Sequence, residues 1–241
     1  MKLPPSWALP AAIKSRLGQR SAGKQRAMVA EEHLLLILHK APIPGQRDRI
    51  PAFFWREPSG RWHSAGSKYG LQPLHQHLQA YTQAEAELSQ QYEQAHCAED
   101  YFALLEAMTP LRLATQNLHR ALQAAREGIA DDVEIIDLRD WAYELERSLD
   151  VMHENAKNAL DFRLAQRAEE QTQLSMKAVE LGNRLNILAA IFFPLTAVSC
   201  VFGMNLISGL EGKAITPFWL MVLGGIGLGF WVRRWVLTGR W

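Results

Sequence analysis

Cysteine is scarce in this 241-residue chain: only Cys97 and Cys200 occur, far apart. That excludes a disulfide framework and a zinc site of the CxxC type. Net charge is equally sparse, with 26 Lys and Arg against 25 Asp and Glu, a balance of +1 that argues against nucleic acid as a partner. A phosphate-cradling glycine loop, a nucleophile elbow and a His-Glu-x-x-His helix are all missing, so nothing points to an enzyme. A secretory signal is not expected either. Lys2 suits one, but Pro4, Pro5 and Pro10 interrupt any apolar region, and Lys14 and Arg16 follow closely. From Pro110 to Pro194 there is no proline, and the only glycines are Gly128 and Gly182, which excludes a loop-rich or all-β organisation there. Hydrophobic residues make up 48% and charged residues 21%, so the chain is neither disordered nor fibrous.

Charge is missing altogether from two stretches, 185–210 and 214–232. Each is near or above the roughly 20 residues a helix needs to cross a bilayer. A soluble core helix of that length would carry a polar face, and neither stretch has one; a buried helical hairpin in a soluble domain is the alternative. Trp219, Trp231, Trp235 and Trp241 lie near the ends of the second stretch, as interfacial tryptophans do. Arg184 precedes the first stretch, while Arg233, Arg234 and Arg240 follow the second. The positive-inside rule then places both termini in the cytoplasm of a cell (inner) membrane protein. The resulting division is a first span at 185–207, an outer loop at 208–213, a second span at 214–232 and a basic cytoplasmic tail at 233–241.

The remainder, 1–184, reads as a cytoplasmic domain at 1–130 and a stalk helix at 131–184. Trp7, Ile13 and Leu17 with Lys14, Arg16 and Arg20 suit a short basic amphipathic helix, packed on its own domain or touching lipid. Residues 29–40 read as one strongly aliphatic strand. Residues 50–56 and 61–65 flank the turn sequence Glu57-Pro58-Ser59-Gly60, which predicts a small three-stranded sheet within 29–66. Helices are expected over 72–95 and 99–127, with Pro110 a kink point.

The third helix is expected to start at Asp131-Asp132, where carboxylates suit the helix dipole, and to run unbroken into the first span. About 70 residues at ~1.5 Å each make a rod on the order of 100 Å, which needs partners. Leu138, Trp141, Leu145, Leu149, Met152, Ala156 and Leu160 form a stripe of eleven-residue period, the signature of nearly straight packing. Other faces carry Asp137, Asp140, Glu144, Glu146, Asp150, Glu154 and Asp161. A solvated face is the plain reading. The sharper one is a divalent-cation sensing surface, with Asp137, Asp140, Glu144, Asp150 and Glu154 as candidate regulatory ligands. His75 and His77, two apart on a helix, point in different directions and make a poor zinc pair.

At the outer end of the first span stands Gly203-Met204-Asn205, behind Phe193-Pro194-Leu195-Thr196. The run FPLTAVSCVFGMNL resembles the membrane motif of the CorA family of divalent metal-ion transporters. So does the layout of a polar N-terminal domain, a long helix entering the first span, a short outer loop, a second span and a basic end. The resemblance implies a mainly α membrane protein with a small α/β cytoplasmic domain, assembled as a homopentamer. It also implies that the first span lines the pore, with Val179, Gly182, Leu185, Ala189, Phe193, Thr196 and Cys200 on the pore face. Two helices cannot enclose a water-filled path, which independently calls for several copies around an axis. Gly225-x-x-x-Gly229 offers the second span a small-residue face for packing on the first.

Mg²⁺ sheds its waters reluctantly, so a ring of neutral Asn205 amides suits an ion that stays hydrated. Gly203, Met204 and Asn205 are therefore the expected ion-selecting residues; a helix-end cap is the other role open to Asn205. Three features depart from the family pattern. The soluble domain is short, the inner polar ring falls at Val179, and the segment 206–217 holds Glu211 as its only carboxylate. The implied function is passage of hydrated divalent cations, Mg²⁺ first and Co²⁺ or Ni²⁺ as surrogates. Zinc transport and a non-conducting membrane-anchored scaffold or sensor are the alternatives. No cofactor is expected, Mg²⁺ being cargo and a candidate regulatory ion; the expected partners are other copies of the chain, the lipid bilayer and divalent cations.

Overall fold

The computed structural model describes residues 3–18, 23–43, 49–65, 70–203 and 216–238. The chain divides into two units, Met1–Ala165 and Gln166–Trp241. It is mainly helical, with one small antiparallel sheet.

In the first unit, β1 (Arg26–Ala30), β2 (His33–His39), β3 (Pro51–Arg56) and β4 (Trp62–Ser64) form a four-stranded antiparallel meander in chain order. The sequence predicts three strands with 29–40 as a single one, and this is corrected. Glu31 and Glu32 both take positive φ (50° and 60°) and fold the segment into a hairpin in which Ala30 pairs with His33. A turn with two positive φ values matches the twist of paired strands and is usually announced by Asn or Gly. Two glutamates give no such signal, and the pairing of apolar strands forces them into it. At the β3–β4 connection, the anticipated turn closes through Gly60 N–H donating to the Glu57 carbonyl at 3.0 Å.

The aliphatic run of β2 is buried on both faces. Leu34, Leu36 and Leu38, with Phe54 and Trp62, meet the helical layer. Leu35 and Ile37, with Met28, Phe53 and Trp55, are covered by Trp7, Leu9 and Ile13. This double cover explains why the strand reads as continuous rather than alternating hydrophobicity. The N-terminal segment thus packs on its own sheet, its helix α1 (Ala11–Lys14) being a single turn with Ile13 fully buried.

Helix α2 spans Gln72–Gln94, α3 Ala98–Gly128, α4 Val133–Gly203 and α5 Thr216–Thr238. Helix α3 continues unbroken through Pro110. Its buried residues Leu104, Met108, Leu111, Thr115, Leu118, Leu122 and Ala125 recur in alternating steps of four and three. Those of α4, Ile135, Leu138, Ala142, Leu145, Leu149, Met152 and Ala156, do the same. Both stripes have a seven-residue period, which favours left-handed knobs-into-holes packing; the eleven-residue period expected for α4 is corrected. Trp141 and Leu160, which created it, are only half-buried. Trp141 sits at the rim, its indole N–H donating to Thr82 Oγ1 at 3.0 Å.

Helices α3 and α4 run antiparallel, tied by Arg112–Asp150 and His119–Glu146, each at 2.5 Å. Helix α2 lies alongside α4, with Ser148 Oγ donating to Glu85 Oε1 at 2.6 Å. Asp132 starts α4. Its Oδ1 accepts the backbone N–H of Glu134 (3.0 Å) and Ile135 (3.3 Å), while Oδ2 accepts Arg56 Nε of β3 at 2.5 Å.

In the second unit α5 packs on the C-terminal part of α4 through Gly225 and Gly229, both buried. A Cβ on Gly225 would stand 3.3 Å from Leu195 Cδ1, and one on Gly229 3.0 Å from Ile191 Cα. Among the described residues α4 is the one helix long and apolar enough to cross a membrane, and Val222–Trp231 of α5 is a shorter apolar stretch.

Candidate functional site

Gly203 is the last residue of α4. Met204 and Asn205, like all of 204–215, lie outside the described residues, so the structure places one of the three candidate selectivity positions. The other candidates occupy the helix just before it. Phe193, Val179 and Leu185 are 73%, 68% and 66% exposed, and Thr196 and Cys200 are also exposed. Gly182 and Ala189 are half-exposed.

Helical geometry puts these seven positions on one side. At about 100° per residue, they fall within roughly 60° of the direction opposite Ile191. Ile191 and Leu195 are the residues on which α5 seats. The second helix therefore covers one face of α4, and the candidate pore stripe lies on the face it leaves open. That stripe is apolar except for Thr196 and Cys200. Thr196 Oγ1 donates to the Phe192 carbonyl at 2.8 Å. With its proton committed to the backbone, the hydroxyl presents only lone pairs outward, which suits a cation or the waters around one. Pro194 lacks the N–H that would bond the Ala190 carbonyl. That carbonyl lies against Gly229, where a Cβ would stand 3.4 Å from it, so the small residue keeps the neighbouring backbone close to this acceptor.

The candidate regulatory carboxylates are distributed differently. Asp137, Asp140, Glu144 and Glu154 are exposed, whereas Asp150 is half-buried beside Arg112. Asp140 pairs with its neighbour Arg139 at 2.9 Å. Among the described residues of a single chain, no three His, Cys, Asp or Glu side chains gather into a group that would hold a metal ion. His75 and His77 diverge as expected. His75 reaches Glu134 at 3.9 Å, while His77 packs between Phe54 and Tyr81 in the core. Burial, and secondarily the charge of Lys40, pushes the His77 pKa down to about 4, so its ring is neutral near pH 7.

One structural contact escapes sequence reading, the Arg56–Asp132 pair that joins the sheet to the first turn of α4. Both side chains are almost fully buried, 13% and 11% exposed. An acidic residue before a helix is legible as a cap; its partner 76 residues away is not.

The family model described as CorA-like Mg²⁺ transporter protein matches residues 69–234, leaving the sheet outside the match. No curated protein matches the chain. Among solved structures, the full-length CmaX protein aligns with a TM-score of 0.55 and 16% identity, covering 89% of this chain and 78% of that one. The complete structure of the CorA magnesium transporter from Methanocaldococcus jannaschii aligns with a TM-score of 0.45 and 15% identity, over 90% and 80% of the two chains. The CmaX likeness is one of fold. With about two thirds of its length inside the family model, including α4 with its charge-free end and α5 seated on it, the chain belongs to the CorA-like Mg²⁺ transporter family.

Proposed function

We propose that the chain is a two-span membrane protein whose copies, five by the family resemblance, surround a path for hydrated divalent cations, Mg²⁺ above all. The observation that carries this reading is the open stripe of α4 opposite α5, which ends at Gly203 and leads directly into Met204-Asn205. An apolar face exposed along a charge-free helix is unstable alone in water and in lipid lacks only neighbours; copies of the same helix close it around an axis. The second span then faces lipid. Asn205 amides at the mouth accept hydrogen bonds from the ion's water shell without stripping it. Leu185 and Phe193 narrow the path with apolar rings that close by dewetting. The arginines flanking the two apolar stretches support cytoplasmic termini in a cell (inner) membrane. A membrane potential of 100 mV drives a divalent ion with about 4.6 kcal/mol, twice the single-charge figure.

Mg²⁺ uptake into liposomes tests this. The parent protein is expected to carry Mg²⁺ above background, and Asn205→Ala to reduce that flux about tenfold, the loss of roughly 1.4 kcal/mol at the ring. Zn²⁺ flux without Mg²⁺ flux would assign the zinc alternative; background flux of both ions in both proteins would overturn transport.

A further inference from the structure

The first unit holds a second site that the ion path does not use. Where β2 ends and β3 begins, against the middle of α3, lies a cavity of about 340 Å³. That volume is at the lower end of the range for small-molecule sites. Two cations, Lys40 and Arg49, line it, and among the described residues lining it there is no carboxylate. Neither cation is paired with a carboxylate among the described residues. Its buried wall is polar. His39 is 7% and Gln25 8% exposed, Gln25 Nε2 donates to the Ala114 carbonyl at 2.8 Å, and Gln25 Oε1 accepts the His39 backbone N–H at 3.3 Å. Its rim is apolar and open, with Ile43 57% and Leu113 52% exposed.

We propose that this cavity binds a small soluble organic phosphate of about mononucleotide size. Two cations with no carboxylate partner among the described residues match a phosphate monoester, which carries about −1.5 to −2 charges at pH 7, better than a monocarboxylate. The aliphatic rim gives an organic body something to cover, which inorganic phosphate cannot use. The local field agrees. After burial itself, Arg49 is what holds the His39 pKa down, and after burial Lys40 does the same for the deeper His77. Both histidines record the positive charge of Arg49 and Lys40, which a bound phosphate would offset.

Equilibrium binding of AMP to the full-length protein in detergent tests the assignment, independently of any ion flux. Saturable binding of one AMP per chain is expected, with inorganic phosphate weaker. Lys40→Glu and Arg49→Glu are each expected to weaken AMP binding roughly tenfold, while Lys157→Glu, an exposed cation on α4, leaves it unchanged. Both pocket residues are exposed, so unchanged melting temperatures verify that the variants are folded. Absence of saturable binding, or equal weakening by Lys157→Glu, overturns the proposal. Displacement of AMP by phosphatidic acid micelles at lower concentration would move the ligand from a soluble source to lipid and overturn it as well.

Discussion

His77 shows how a single side chain sets a pH limit on the fold. It is 8% exposed, its Nε2 has no hydrogen-bond partner among the described residues, and its pKa of about 4 lies below the 6.5 of an unfolded histidine. Because the folded value is the lower one, protons favour the unfolded chain. The contribution is complete above pH 6.5 and is lost as pH falls from 6.5 toward 4. The shift corresponds to about 3 kcal/mol over that window. Melting temperatures at pH 7.5 and 4.5 are expected to differ less for His77→Phe than for the parent, the phenyl ring fitting between Phe54 and Tyr81. An identical pH slope in the two proteins would show that His77 does not carry the effect. Asp100 has the same sign for the opposite reason: its charged form is stabilised rather than its neutral one. Hydrogen bonds from the Cys97 thiol and from the backbone N–H groups of His96 and Cys97 hold its carboxyl at about 2, so it stays ionised at the head of α3.

At the scale of elements, the start of α4 is the joint that matters. Asp132 caps the helix and neutralises Arg56 at the end of β3. Removing the carboxylate takes away a cap worth about 1 kcal/mol and leaves a nearly buried guanidinium uncompensated. Asp132→Ala is expected to lower stability by about 3 kcal/mol. Asp132→Asn, which keeps the cap acceptor, is expected to lose less, and Arg56→Met in the Asp132→Ala background to recover part of the loss. Chemical denaturation of the parent, Asp132→Ala, Arg56→Met and the combined variant as a double-mutant cycle reads the coupling; additive effects would show that the two residues act separately. The other joint is steric. Gly225 and Gly229 admit α5 to the backbone of α4 at Leu195 and Ile191, and that choice of contact face leaves the stripe from Val179 to Cys200 open.

At the scale of the whole molecule, the proposed assembly would give the outward carboxylates of α4 a role between copies. Asp137, Glu144 and Glu154 are exposed and gather no metal group within one chain. Cytosolic Mg²⁺ bridging such faces between neighbouring copies would hold the path shut. Internal Mg²⁺ is then expected to lower ion conductance, and the combined variant Asp137→Asn, Glu144→Gln, Glu154→Gln to lose that inhibition while still conducting. Equal conductance with and without internal Mg²⁺ in the parent would reject this gating. Asp150 and Glu146 are left out of the variant because Arg112 and His119 already occupy them.

What local order controls was readable in advance. Helices α2 and α3 lie within a residue or so of their expected ends, and α4 begins two residues after the expected start. The apolar stretches and the Gly203-Met204-Asn205 resemblance pointed to the family that the comparison then matched. Periodicity and missing charge are properties of neighbouring residues, so one chain suffices to show them. Three-dimensional neighbours decided the rest. The Glu31-Glu32 turn exists because β1 and β2 are worth pairing, not because glutamate favours positive φ. The α4 stripe has a seven-residue period because α2 and α3 cover Ile135 and Ala142 and leave Trp141 at the rim. Arg56 finds Asp132, and Lys40 and Arg49 meet around one cavity, only when strands and helices far apart in sequence are packed together. Burial and the pairing of charges are sums over all neighbours in space, and a linear pattern contains only the neighbours along the chain.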